Sequence, residues 1–219
     1  SARRAGPFVA LSDAAEQHVR EIIEELAAGG PTDAADPSAA DEARKIGELY
    51  TSFMDTERIA ALGQKRLVIT GGEPLLQGPA LARMLDFLPD IAVEIETNGT
   101  TKPPPRLDVR IDQFNVSPKL SHSGNPADLA LIAERLDAYA TDPRAVFKFV
   151  VASEADVSEA AALVRRHAIP PSRVFLMPEG TDSATLRARE EWLVPLCLEH
   201  GFRLSDRLHI HLFGDTRGT

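Results

Sequence analysis

The stretch Thr70-Gly71-Gly72-Glu73-Pro74 combines residue types that can do chemistry at close range. Two adjacent glycines let the backbone turn sharply and let another molecule approach its N–H and C=O groups. Glu73 sets a carboxylate beside them, and Pro74 has the fixed φ suited to the first turn of a helix. Three later strings have a related character: Glu96-Thr97-Asn98-Gly99, Ser117-Pro118-Lys119 and Met177-Pro178-Glu179-Gly180. Lys148 sits amid Val146, Phe147, Phe149 and Val150, where a buried amine needs a carboxylate partner or loses its proton. Glu96 and Glu73 are the candidate partners, and a lysine snorkelling from an edge strand is the alternative. His209 and His211 alternate near the end of the chain, a spacing that can open a metal site on a strand, but no clear set of further ligands accompanies them. Cys197, beside Leu193 and Leu196, reads as a core residue.

These residues need elements to position them. Leu67 to Ile69 is a short β-branched run that suits a buried strand, and Leu81, Met84, Leu85 and Leu88 follow at helical spacing. The stretch is therefore strand, glycine turn, acid, helix. A β/α alternation continues with strands at 92–96, 113–116, 145–151, 173–176 and 208–213. Helices are expected at 128–139, after the Ser153/Asp156 capping pair, and at 185–200 with a bend at Pro195, with a proline-rich loop over 102–106. In the helix after Ser153, Val157, Ala161, Val164 and Ala168 are expected to face inward. Upstream, Pro7 to Leu11 reads as a strand and 13–28 as a helix with a capping box at Asp13 and Glu16. Residues 31–41, rich in Ala, Asp, Pro and Ser, read as a mobile linker, and 42–62 as a second helix. Alternation of this kind implies an α/β fold with a mostly parallel sheet. The four polar strings would then converge at the carboxyl ends of the strands, where such folds place ligands.

Composition sets bounds. The chain has 219 residues, of which 43% are hydrophobic, enough for one domain spanning 1–219. Net charge is −9, which argues against non-specific binding to nucleic acid. No apolar run is long enough for a membrane span, no signal peptide is evident, and one cysteine rules out a disulfide framework. The expectation is a cytoplasmic protein with a small-molecule ligand.

Thr70-Gly71-Gly72-Glu73-Pro74 resembles the glycine-rich motif of radical S-adenosylmethionine enzymes. With Leu75-Leu76-Gln77, Glu96-Thr97-Asn98-Gly99-Thr100, Ser117-Pro118-Lys119 and the closing 209–219 segment, the chain resembles the 7-carboxy-7-deazaguanine synthases. The resemblance covers 66–219 as a β/α core, with 1–65 divergent, and implies a partial (β/α) barrel open on one side. It implies S-adenosylmethionine contacts from Gly71, Gly72, Glu73, Ser117, Pro118, Lys119, Met177, Pro178, Glu179 and Gly180. Carbonyls around the glycines and the Glu73 carboxylate would accept from the methionine amine, Ser117 and Lys119 would meet the ribose and carboxylate, and the 177–180 backbone would meet the adenine. Thr70, Glu96, Asn98 and the terminal carboxylate of Thr219 would contact an anionic pterin or purine-like substrate, 6-carboxytetrahydropterin in the family. The family reaction is a ring contraction to 7-carboxy-7-deazaguanine in queuosine-type biosynthesis, by a homodimeric lyase with a [4Fe–4S] cluster and magnesium.

The cluster in that family is held by a Cys-x-x-x-Cys-x-x-Cys loop after the first strand. Here Leu11 is followed by Ser12 and Asp13, the only cysteine is Cys197, and Ala10 stands where the family has a substrate-binding arginine. The magnesium-contacting threonine has no counterpart either. No catalytic side chain and no metal ligand are assigned from the sequence. Two readings follow: a 7-carboxy-7-deazaguanine synthase whose cluster ligands are missing from these residues, or a cluster-less relative that binds S-adenosylmethionine or a nucleotide and acts as a partner or regulator. A barrel hydrolase using His209 and His211 is a more distant third.

Overall fold

The computed structural model describes residues 59, 61–63, 65–126 and 131–216. The expected strand at 7–11, helix at 13–28 and linker at 31–41, nearly all of the helix at 42–62, and Thr219 lie outside these residues. By contact the chain divides into two units, Ser1–Arg66 with Pro79–Ile91, and Leu67–Gly78 with Ala92–Thr219.

The sheet is built from β1 (Arg66–Ile69), β2 (Ala92–Thr97), β3 (Gln113–Val116), β4 (Ala145–Val151), β5 (Val174–Pro178) and β6 (Arg203–Leu204). They lie in sequence order, β1 to β6, and the sheet ends at β1 and β6 without closing. Each pairing from β2 to β6 is parallel. Helices α1 (Gly78–Asp86), α2 (Pro105–Asp108), α3 (Ala133–Thr141), α4 (Glu154–Arg166), α5 (Ser183–His200) and α6 (Leu208–Phe213) fall between or after the strands. Parallel neighbours in sequence order require each connection to cross back over the sheet, so all the strands from β2 onward present their carboxyl ends along one edge.

Strand alternation divides the sheet into two unlike faces. One carries Val93, Ile95, Phe114, Val116, Phe147, Phe149, Val174 and Leu176, all essentially inaccessible. Burying each phenylalanine contributes roughly 1.5–3 kcal/mol. The other face is half-buried and carries Glu96, Gln113, Asn115, Val146, Lys148 and Met177, together with the buried Glu94.

Helix ends follow local chemistry. The Ser153 hydroxyl accepts from the Asp156 N–H, and Asp156 accepts from the Ser153 N–H, the capping box the sequence implied. Asp182 caps α5 by accepting from the Thr185 N–H, and Gly201, in the left-handed region at φ +68°, ends it. Pro195 lies inside α5.

Several elements differ from expectation. The stretch 208–213 is helix α6, not a strand, and the last strand is Arg203–Leu204. His209 and His211 therefore do not share a face: two residues on a helix are rotated by about 200°. Pro105–Asp108 forms a short helix that begins within the proline-rich loop expected over 102–106, since proline is well suited to a first helical turn. α3 runs from Ala133, after the non-helical Leu131 and Ile132, and the first residues of the helix expected at 128–139, 128–130, lie outside the described residues. Ala168 lies beyond the end of α4, exposed and at φ +50°, and does not face inward. Among the described residues, no helix is long and apolar enough to cross a membrane.

Candidate functional site

The carboxyl edge of the sheet carries the polar strings singled out above, all within the second unit. After β1, Thr70, Gly71 and Gly72 are exposed, and among the described residues nothing lies within 4 Å of where a side chain on either glycine would project. Gly71 has φ +152°, a value that L side chains rarely adopt. The backbone there is open to an incoming group.

Glu73 is engaged within the protein. Its carboxylate accepts from Thr97 Oγ1 at 3.0 and 2.9 Å, from the Asn98 N–H at 2.8 Å and from the Leu75 N–H at 3.1 Å. Thr97 is 3% exposed, so these bonds satisfy buried donors. The acid clamps the glycine turn after β1 to the end of β2. Asn98 is likewise committed: its Oδ1 accepts from Thr100 N and Thr100 Oγ1 at 2.9 and 2.6 Å. The clamp continues into β3, where the Ser117 N–H donates to the Thr97 carbonyl at 2.7 Å.

Ser117 and Pro118 are buried and Lys119 is exposed. The loop beyond them is pinned to α4: Ser121 donates through its N–H and hydroxyl to Glu159, and His122 Nδ1 lies 3.1 Å from Asp156 Oδ1. Burial pushes the Asp156 carboxyl up, but the Ala152 N–H, the Ser153 hydroxyl and the His122 ring outweigh it, and the net effect is a lowered pKa.

After β5, the Glu179 N–H donates to the Val151 carbonyl at 2.9 Å, which ties the ends of β4 and β5 together. The Glu179 carbonyl and carboxylate both accept from Arg189 Nη1, and the Gly180 carbonyl accepts from Arg207 at 2.6 Å. Those carbonyls therefore already have partners.

On the half-buried face, Lys148 Nζ donates to Glu96 Oε2 at 2.8 Å, with the two side chains 23% and 28% exposed. β2 and β4 are both neighbours of β3, so the lysine reaches across β3 to find its acid. This resolves the alternatives for Lys148 in favour of an ion pair with Glu96, on a strand with neighbours on both sides. Asn115 Nδ2 donates to Glu94 Oε2 at 3.1 Å, and Gln113 Nε2 to Asn115 Oδ1 at 2.7 Å. Sequence reasoning missed this row of Glu94, Gln113 and Asn115. The signal was there: polar residues two apart on two successive parallel strands lie on one face.

A second cluster was missed. His211 Nδ1 lies 2.9 Å from Ser183 Oγ, and Nε2 lies 3.2 Å from Asp206 Oδ1. Glu190 Oε1 is 3.8 Å from the same nitrogen. No sequence signal pointed here, because the cluster depends on α6 being helical. His209 is exposed and takes no part. Cys197 is 3% exposed, and burial pushes its thiol up.

An open parallel sheet with a clamped glycine turn on its carboxyl edge defines a partial (β/α) barrel. The solved structure of QueE from Escherichia coli shares the fold, with a TM-score of 0.50 at 22% identity over 71% of this chain and 63% of that one. No protein-family model matches the chain. The 7-carboxy-7-deazaguanine synthase of Pyrobaculum aerophilum is 40% identical over 156 residues, 69% of this chain and 67% of the relative. That of Rhodopirellula baltica is 34% identical over 175 residues, 74% of this chain and 66% of the relative. The chain belongs to the 7-carboxy-7-deazaguanine synthase family. It spans about two thirds of the length of these curated relatives.

Proposed function

We propose that this chain serves the 7-carboxy-7-deazaguanine synthase reaction, gripping S-adenosylmethionine and 6-carboxytetrahydropterin at the carboxyl edge of its sheet. Family membership supports the reading. The observation that carries it is the Glu73 clamp, which holds the open glycine turn against Thr97 and Asn98, so that a cofactor segment and a substrate segment form one rim.

In this reading the Gly71 and Gly72 carbonyls accept from the methionine amine, and Glu73 fixes their position rather than touching the ligand. Ser117 and Lys119 meet the ribose and carboxylate, with Pro118 setting their turn. The backbone from Met177 to Gly180 lies along the adenine, held in place by Arg189 and Arg207. Thr70, Glu96 and Asn98, with Thr219, face the pterin. Glu96, paired to Lys148 and next to the Glu94–Asn115–Gln113 row, lies on a face rich in donors and acceptors that suits a pterin. A homodimer in the cytoplasm belongs to the same reading.

The residues present do not fit a [4Fe–4S] cluster. Such a cluster needs thiolates. This chain has one cysteine, buried in α5 with its thiol pushed towards the protonated form. The threonine that contacts magnesium in the family has no counterpart in this sequence either. That misfit favours a second reading, in which the chain binds S-adenosylmethionine or a nucleotide without carrying the cluster itself, as a partner or regulator.

Anaerobic iron–sulfide reconstitution separates the two, read by visible absorption, by assay for the deazaguanine product and by calorimetry with S-adenosylmethionine. Cluster and product establish the synthase. Binding without cluster, weakened in Glu73→Ala, establishes the binding protein. Absence of both cluster and binding contradicts either reading.

A further inference from the structure

The Glu190, Asp206 and His211 cluster is not used by the rim described above. Its members come from α5, from the segment after β6 and from α6. One potential ligand atom from each lies within 4.8 Å of the other two. The side chains of His211 and Glu190 are only 16% and 21% exposed, while Asp206 is 38% exposed.

One oxygen of this cluster lacks a partner. Glu190 Oε1 has almost no accessible surface and, among the described residues, no hydrogen-bond partner. Buried carboxylate oxygens are ordinarily paired, so an orphan of this kind calls for an explanation. Burial, then the neighbouring Asp206, push the Glu190 carboxyl above its ordinary value, as expected where two acids crowd together. The imidazole is already oriented. Ser183 Oγ, 2.9 Å from Nδ1, can accept that nitrogen's proton, which leaves the Nε2 lone pair aimed at the two carboxylates. A ring nitrogen held in this way by a polar partner on its far side is the usual setting of a metal-binding histidine. Two carboxyl groups and a ring nitrogen meet at one point, a set of donors that a cation would satisfy.

We propose that Glu190, Asp206 and His211 bind a divalent transition metal ion of the zinc class, which staples α6 onto α5. One imidazole nitrogen with two carboxylate oxygens suits zinc, whereas magnesium and calcium prefer oxygen throughout. The partly exposed Asp206 side leaves room for water as a further ligand. Arg207, next to Asp206, holds the Gly180 carbonyl at 2.6 Å, so the ion would also stiffen the turn after β5. The inference is independent of the rim's function.

The test is calorimetric titration of Zn2+ alone into the chelator-treated full chain. One saturable site per chain is expected, with a rise in melting temperature. Glu190→Gln and His211→Ala, checked for folding by circular dichroism, should abolish that site, and Ser183→Ala should weaken it by about tenfold or more. His209→Ala should leave it unchanged, since His209 is exposed and outside the cluster. Should His211→Ala not fold, Co2+ on the unaltered protein gives a second readout: visible absorption bands that Zn2+ bleaches support the site. No saturable Zn2+ binding, equal binding by Glu190→Gln, loss of binding in His209→Ala, or a featureless Co2+ spectrum would each overturn the proposal.

Discussion

Glu73 gathers three donors with one carboxylate: the Leu75 N–H at its own helix start, the Thr97 hydroxyl and the Asn98 N–H. Removing it strands donors at a site where Thr97 is 3% exposed. Glu73→Ala is therefore expected to cost about 1–3 kcal/mol in urea denaturation, the penalty for leaving buried polar groups unpaired. Thr97→Val should cost less, and the double variant should cost less than the sum, because the two share one interaction. Lys148 and Glu96 offer a contrasting case. At 23% and 28% exposure the pair is screened in part, so Lys148→Met should cost roughly 1–2 kcal/mol, below the range for fully buried pairs. Glu96→Gln added to Lys148→Met should restore part of that loss, since it removes the acid left without its partner. The residue types at these positions were legible in the sequence, and so was the Lys148–Glu96 pairing as one of two candidates. The bonds from Glu73 to Thr97 and Asn98 were not, because a carboxylate beside a glycine turn looks the same in sequence whether or not it also braces the next strand.

Elements were legible where two signals agreed. Ser153 with Asp156 gave both halves of a capping box, and α4 begins there. β4 is a seven-residue run rich in valine and phenylalanine, with one face buried and the other half-buried. The stretch 208–213 misled because Leu208, Ile210 and Leu212 alternate with His209 and His211, a period-two pattern that a six-residue helix can also hold. Two predictions belong at this scale. Gly99 sits at φ +83°, and a Cβ there would meet Val116 Cγ1 at 2.9 Å. Gly99→Ala should destabilise by about 1–3 kcal/mol, measured by denaturation, through strain and overlap together. The turn between α3 and β4 is held by Arg144, which donates to both Asp142 and Asp108. Its side-chain hydrogen bonds hold the Asp142 carboxyl below the usual carboxylate range. A lowered folded-state pKa adds stability that is present above the unfolded value, about 3.9, and is lost as pH falls through the folded value. Asp142→Asn should lower stability at neutral pH and flatten its decline towards acid, as seen in denaturation curves across that window.

At the scale of the whole molecule, an open parallel sheet brings loops from distant parts of the sequence to one edge. That architecture was legible because it follows from the order of strands and helices alone. What joins the edge into a working surface was not, since the bonds from Glu73 to Thr97 and from Ser117 to Thr97 link positions 24 and 20 residues apart. The same scale exposes the tension in this chain: its family is that of a synthase, and its single cysteine is enclosed in α5. The central claim is that the rim grips S-adenosylmethionine whether or not iron is bound. Calorimetric titration of S-adenosylmethionine into the iron-free chain, compared with Gly71→Ala and Glu73→Ala, tests it directly. The account predicts saturable one-site binding that falls about tenfold or more, some 1.4 kcal/mol, in each variant. Absence of binding, or equal affinity in all three proteins, would contradict it.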